Sequence, residues 1–160
     1  MMIKTGDTIP SMKLMRATAG GPQEVSTDEL FRGKRVVMFA VPGAFTPTCS
    51  ERHLPGYVQN MDALRAKGVD QVVCVAVNDV FVMGAWARQL ELDDSVVMLA
   101  DGSGALTKAL GLELDLTARG LGVRSQRYAM VLDNGKVKQL AIEPPGGFDA
   151  SKAESVLAAL

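Results

Sequence analysis

The stretch from Val36 to Pro55, VVMFAVPGAFTPTCSERHLP, constrains this chain more than any other part of it. It opens with six apolar residues, Val36-Val37-Met38-Phe39-Ala40-Val41. A short continuous run of this kind suits a strand buried on both faces. Pro42-Gly43 stops the run. Beyond a second breaker, Pro47, the residues Leu54, Tyr57, Val58, Met61 and Leu64 recur at helical spacing. Cys49 therefore sits where a buried strand has ended and a helix begins. A thiol at such a place meets unpaired backbone N–H groups and the positive end of the helix dipole, and both favour thiolate over thiol. The competing reading makes Cys49 a small buried hydrophobe, the usual fate of a free cysteine. Its neighbours favour the reactive reading: Pro42 and Thr46 frame Cys49, and Thr46 offers a hydroxyl one turn away.

The pattern Pro42-x-x-x-Thr46-x-x-Cys49 resembles the active-site motif of the peroxiredoxins. The longer string from Val41 to Ser50, followed by His53-Leu54-Pro55-Gly56, is similar to the peroxiredoxin-five subgroup in particular. The resemblance implies a thioredoxin-like α/β fold, with a central mixed sheet flanked by helices and an N-terminal β-hairpin extension. It also implies a thiol-dependent peroxidase that reduces hydrogen peroxide and alkyl hydroperoxides.

The rest of the chain is compatible with that expectation. Its 160 residues suit a single domain, 1–160, with a real core. A net charge of −1 gives no reason to expect nucleic acid or an acidic membrane surface as a partner. No apolar run approaches the ~18 residues of a membrane-spanning helix. The opening Met1-Met2-Ile3-Lys4-Thr5-Gly6-Asp7 has neither an apolar signal core nor an Arg-rich presequence, which reads as cytoplasmic. Two cysteines, Cys49 and Cys74, make no disulfide framework, and a reducing compartment fits them better.

Taken in order, the chain predicts an extended lead-in to Pro10 and a short strand at Met12–Arg16. A turn at Gly20-Gly21-Pro22 and a returning strand at Gln23–Val25 follow. Ser26 and Glu29 have capping-box spacing for a short helix. After the central strand and the Cys49 helix, in which Pro55 should force a kink or a break, come a buried strand at 71–77, a helix capped by Asn78-Asp79, a third apolar strand at 96–100 and a short helix ending at Gly111. Residues 112–122 read as irregular. A strand at 126–132, the turn Asp133-Asn134-Gly135 and a partner strand at 136–142 form a hairpin. Ser151-x-x-Glu154 reads as the cap of a final helix. Alternation of strands and helices argues for parallel pairing with right-handed crossovers, and the late hairpin adds antiparallel strands.

Similarity to the peroxiredoxins also assigns roles. Cys49 is the nucleophile and becomes a sulfenic acid. Thr46 orients the peroxide, and backbone N–H groups at Gly43, Cys49 and nearby donate to its oxygens. Pro42 shields the sulfur from water. Arg127, just ahead of Tyr128-Ala129-Met130-Val131, steadies thiolate and substrate, with Arg124 as the alternative arginine. A lysine lacks the planar fork of donors this needs. His53, the only histidine, lies four residues after Cys49 and shares its helix face. It can shape the pocket rim or be satisfied by a backbone group; a Cys-His hydrolase pair is the weaker reading. Cys49 and His53 offer only two metal ligands, so neither a metal nor any other cofactor is expected.

Cys74, set among valines, reads as packing. Residues 143–152, where some relatives carry a resolving cysteine, have none. A one-cysteine mechanism follows, with an external thiol recycling the sulfenic acid. Glutathione with glutaredoxin is favoured and thioredoxin is the second choice. Trp86, Phe81 and Phe45 read as packing residues, and Phe45 also as part of a homodimer face. Two other functions compete: a redox-sensing or chaperone-like protein with little turnover, and a non-enzymatic thioredoxin-like interaction domain in which Cys49 is structural.

Overall fold

In the computed structural model, which describes residues 2–160, the chain runs β1 (Lys13–Thr18), β2 (Gly21–Ser26), α1 (Thr27–Phe31), β3 (Arg35–Ala40), a π turn (Cys49–His53), α2 (Leu54–Gln59), α3 (Met61–Ala66), β4 (Gln71–Ala76), α4 (Val80–Gln89), β5 (Val97–Ala100), α5 (Ala105–Leu110), β6 (Glu113–Asp115), a 3-10 turn (Thr117–Arg119), β7 (Val123–Ser125), β8 (Tyr128–Asp133), β9 (Lys136–Ile142) and α6 (Ala153–Ala159). Seven strands form one mixed sheet in the order β2-β1-β5-β4-β3-β8-β9. The three apolar strands β3, β4 and β5 are parallel, while β1 and β8 flank them antiparallel. This is the thioredoxin-like peroxiredoxin fold.

The strands sort their side chains by the period of two that a pleated backbone imposes. On β3, Val37 and Phe39 face one apolar cluster, and Val36, Met38 and Ala40 face the other. On β4, Val72, Cys74 and Ala76 share the first face, and Val73 and Val75 the second. Helices cover both faces, which is why the central strands are apolar without alternation. α2, α3, α4 and α6 bury Leu54, Tyr57, Leu64, Trp86 and Val156 on the Cys49 side. α1 and α5 bury Phe31, Leu106 and Leu110 on the other. No described helix is long and apolar enough to cross a membrane.

Several local expectations hold. Ser26 accepts from Glu29 N at 3.1 Å and contacts the Glu29 carboxylate, the reciprocal pattern of a capping box. Asp79 caps α4 by accepting from Phe81 N and Val82 N, each at 2.9 Å. The β8–β9 turn places Asn134 at φ 51° and Gly135 at φ 78°, a conformation that these two residue types supply at least cost.

Four expectations are corrected. Pro55 does not divide its helix. The π turn just before it, in which Leu54 N–H reaches back to Cys49 O, opens the backbone where a proline removes a donor and crowds the preceding turn. The break falls instead at Asn60, whose Nδ2 donates to Gly56 O and to Glu154 Oε1. Residues 112–122 are not irregular throughout: β6 and β7 pair antiparallel as a small separate sheet. Their three-residue strands are too short to show a period. Ser151 does not cap α6, whose N-cap is Lys152. It is fully buried, and its hydroxyl donates to Glu143. Phe81 does not pack in the core: it is 73% exposed on α4, whereas Trp86, five residues on, is fully buried.

Candidate active site

The parallel strands end together, and the β3–helix loop leaves from that end. Val41 N still donates to Val75 O at 3.1 Å, after which Pro42 turns the chain out of the sheet. The next residues are pinned individually. Ala44 N donates to Asn78 Oδ1 at 2.9 Å, and Thr46 Oγ1 donates to Gly43 O at 2.7 Å. Phe45 adopts φ 66°, unusual for a non-glycine residue. Gly43 is required by space: a Cβ there would lie 3.2 Å from the Thr46 methyl and 3.3 Å from Arg124 Nη1. The helix starts at Pro47 and brings Cys49, fully buried, into its first turn. Trp86 Nε1 donates to Ser50 Oγ at 2.8 Å and locks that turn against α4.

Arg127 approaches from the other side of the same sheet end. β8 pairs Tyr128 with Ala40, so the residue before β8 arrives beside the residues that follow β3. Its guanidinium divides its donors between two acceptors. Nη2 lies 3.0 Å from Cys49 Sγ, and Nη1 lies 2.7 Å from His53 Nδ1. A guanidinium only donates, so His53 Nδ1 must accept; the ring proton is then on Nε2, which donates to Ser151 O at 3.1 Å. Tyr57 Oη donates to the same carbonyl at 2.7 Å. Ser151 is itself held by Glu143, whose Oε2 accepts from Ser151 N, Ser151 Oγ and Asp149 N at 2.7–2.8 Å. Glu143 N in turn donates to Arg127 O at 2.9 Å. The connection is unbroken from Cys49 through Arg127, His53 and Ser151 to Glu143.

The charge states suit this connection. Burial first, and the neighbouring Arg127 charge second, push His53 down to about 3 despite its contacts with Ser151 and Glu143. His53 is therefore neutral at physiological pH and always has a lone pair for Arg127. Burial alone would raise the Glu143 carboxyl, but the donors from Ser151 and Asp149 outweigh it and hold the group below its ordinary range. Aromatic rings pack around the imidazole. Phe39 stacks on Tyr57 at 4.1 Å and tilts toward His53 at 4.8 Å, and Phe148 meets His53 edge-on at 5.1 Å. Phe148 also carries the Arg52 guanidinium over its ring at 4.6 Å.

The structure thus brings Cys49, His53 and Arg127 together, with Thr46 and Pro42 alongside. Arg124 stands apart from the sulfur: Nε donates to Leu121 O at 2.8 Å and Nη1 to Val77 O at 3.3 Å. His53 is satisfied by a backbone carbonyl, one of the two expected arrangements, but it also holds Arg127. It is fully buried, not on a rim. Glu143, Phe148 and Ser151 were not anticipated at the site. Phe148, a lone aromatic in a Pro- and Gly-rich loop, was the one visible signal among them.

A cavity of about 620 Å³ opens above Pro42, Thr46 and Arg127. Cys74 lies on the Cys49 face of the sheet, paired in register with Phe39. Burial, and after it the nearby Cys49, raise its thiol pKa well above the ordinary range, so Cys74 is held as the thiol. Both cysteines are free. Among the described residues no three His, Cys, Asp or Glu side chains are grouped to hold a metal ion.

Comparison with known proteins bears on this geometry. The family model described as Redoxin matches residues 4–157. Peroxiredoxin-2C of Oryza sativa subsp. japonica is 50% identical over 159 residues, covering 99% of this chain and 98% of that protein. Reduced Prx3 of Vibrio vulnificus, in complex with hydrogen peroxide, superposes with a TM-score of 0.93 at 53% identity over 99% of each chain. Oxidized Prx3 of the same organism gives 0.89 at 54% identity, over 99% of this chain and 100% of that one.

The neutral buried imidazole makes a stability prediction whose sign is fixed. The unfolded chain binds a proton at His53 near pH ~6.5, and the folded chain only near 3. From pH ~6.5 down toward 3 the unfolded state therefore holds more protons, and stability falls by up to about 1.4 kcal/mol per pH unit from this group alone. Urea unfolding across that range will show this slope, and His53→Gln will lack it. An equal slope in both proteins would contradict the assignment.

Proposed function

This chain belongs to the Redoxin family and is a peroxiredoxin, a thiol peroxidase, and from that premise we propose how its site works and what recycles it. Cys49 is the peroxidatic residue. Its sulfur attacks the terminal peroxide oxygen, the O–O bond breaks, the sulfur is oxidised to sulfenic acid, and the leaving oxygen takes a proton to become water or an alcohol. The observation that carries this reading is the Arg127 Nη2 contact with Cys49 Sγ at 3.0 Å, beneath an open cavity. The guanidinium faces the atoms over which negative charge spreads in the transition state, where a preorganised donor lowers the barrier most. Thr46 supports the same event. Its hydroxyl proton is committed to Gly43 O, so its oxygen is left to accept from a peroxide O–H. Gly43 lets that loop close, and Pro42 keeps water from the sulfur.

We propose the peroxiredoxin-five-like, one-cysteine route for recycling. No cysteine lies in 143–152, and Cys74 is buried and held as the thiol. An external thiol then reduces the sulfenic acid, with glutathione and glutaredoxin favoured over thioredoxin. A reducing compartment such as the cytoplasm keeps both thiols free. We also propose a homodimer formed by the face that carries Phe45 and Phe81. These rings are 46% and 73% exposed, and the Ala44–Asn78 hydrogen bond ties the Phe45 loop to the start of α4.

Two experiments test these points. In stopped-flow mixing with hydrogen peroxide, Trp86 will report a fast oxidation in wild type and in Cys74→Ser and none in Cys49→Ser, because its indole is tied to Ser50 in the first turn of the Cys49 helix. Turnover with glutathione and glutaredoxin will persist in Cys74→Ser. If Cys74→Ser oxidises normally but does not turn over, Cys74 is the resolving residue and the one-cysteine route is wrong. Sedimentation at micromolar concentration will show a dimer, and Phe81→Asp will shift it to monomer; a monomeric wild type refutes the dimer.

A further inference from the structure

The cavity above Cys49 is far larger than hydrogen peroxide needs. Its volume of about 620 Å³ lies in the range of sites that enclose whole small-molecule ligands. Two walls make it. One is the small β6–β7 sheet with its connecting loop, which contributes Leu114, Leu116 and Leu121; the other is the segment after β9, which contributes Pro144 and Pro145. These walls are apolar, so they favour a hydrocarbon chain over the hydrated end of a polar thiol.

One cation lines the outer part of this wall. Arg119 is exposed and enters none of the ion pairs among the described residues. Its backbone is fixed: Arg119 N donates to Leu116 O at 2.9 Å, Gly120 N to Thr117 O at 2.9 Å and Leu121 N to Leu116 O at 3.1 Å. The same short turn therefore sets the arginine and the leucines on either side of it. The lining carboxylate, Glu143, has its Oε2 committed to Asp149 and Ser151, and Arg127 is committed to Cys49 and His53. Arg119 is the charged group of the lining with no assigned partner.

We propose that the cavity takes amphipathic single-chain hydroperoxides that carry a carboxylate, with the chain along the leucine and proline walls, the hydroperoxide at Cys49 and the carboxylate at Arg119. The planar guanidinium matches a carboxylate in two parallel hydrogen bonds. The chemistry is that of the peroxidase reading, on which this inference rests. The terminal oxygen passes to the Cys49 sulfur, the O–O bond breaks, and the hydroxy acid leaves after its alkoxide takes a proton. Arg119 is a specificity residue in this scheme and touches none of the reacting atoms.

The test compares linoleic acid hydroperoxide with its methyl ester, both below their micelle concentrations, by the second-order rate of Cys49 oxidation. In wild type the acid will react roughly three- to fivefold faster than the ester, the scale of a solvent-exposed ion pair. Added salt will shrink that ratio. Arg119→Gln will bring it to about one, and Arg119→Lys will restore part of it. The ratio is taken within each protein, so a change in folded fraction does not affect it. Equal rates for acid and ester in wild type, or a ratio that survives Arg119→Gln, overturns the proposal. A hydrogen peroxide reaction measured on the same wild-type sample separates the two readings: if Cys49 fails to react with either kind of peroxide, the peroxidase reading fails first. If Arg119→Gln instead raises the KM for glutathione and leaves the acid-to-ester ratio unchanged, the anion read by Arg119 is the reductant's, and the substrate proposal is wrong.

Discussion

The contact between the Arg127 guanidinium and the Cys49 sulfur sets the terms for everything around it. A half-buried cation needs acceptors, and a buried sulfur needs a donor. One planar fork meets both needs by giving Nη2 to Cys49 and Nη1 to His53. That division works only while His53 is neutral, since a protonated imidazole would have no lone pair for Nη1 and would place a like charge beside the guanidinium. Burial among Phe39, Tyr57 and Phe148 keeps it neutral. The Ser151 carbonyl fixes the tautomer, and Glu143 fixes Ser151. The aromatic packing and the C-terminal loop are thus part of the electrostatics of the sulfur.

The sheet brings these pieces to one place. β3 ends at Ala40 and β8 begins opposite it, so the loop that carries Cys49 and the residue that carries the guanidinium meet at one sheet end. This is the end at which open α/β sheets hold their ligands. The π turn at Cys49–His53 lies at the same point. It accommodates Pro55 without breaking the helix and carries Cys49 and His53 at its two ends. π turns inside helices are frequent at functional sites.

Much of this was legible in the sequence, for identifiable reasons. The apolar runs at 36–41, 71–77 and 96–100 became the three parallel strands because strands covered on both faces have no polar side to hide. Ser26, Asp79 and Asn134-Gly135 did what their local chemistry dictates. Cys49, Thr46, Pro42 and Arg127 stood out through a motif and its context, and the structure gathers them. What was not legible depends on distant partners. Ser151 has the spacing of a helix cap, yet it is recruited by Glu143, eight residues earlier, because both are buried beside His53. Phe81 has the helical phase of a core residue near Trp86, yet it faces outward. The β6–β7 sheet is too short to announce itself, and with it went the leucine wall of the cavity.

The central claim is that the guanidinium of Arg127 stabilises the charge that develops at Cys49. The most direct measurement is the second-order rate constant for oxidation of Arg127→Gln by hydrogen peroxide, set against wild type at neutral pH. Glutamine keeps a donor but loses the charge and the fork. The account predicts a fall of roughly a hundredfold or more, the scale seen when a transition-state donor is removed, with an unchanged far-ultraviolet circular dichroism spectrum. A folded variant that reacts within a few-fold of wild type would contradict it and leave Arg127 a merely structural partner of His53.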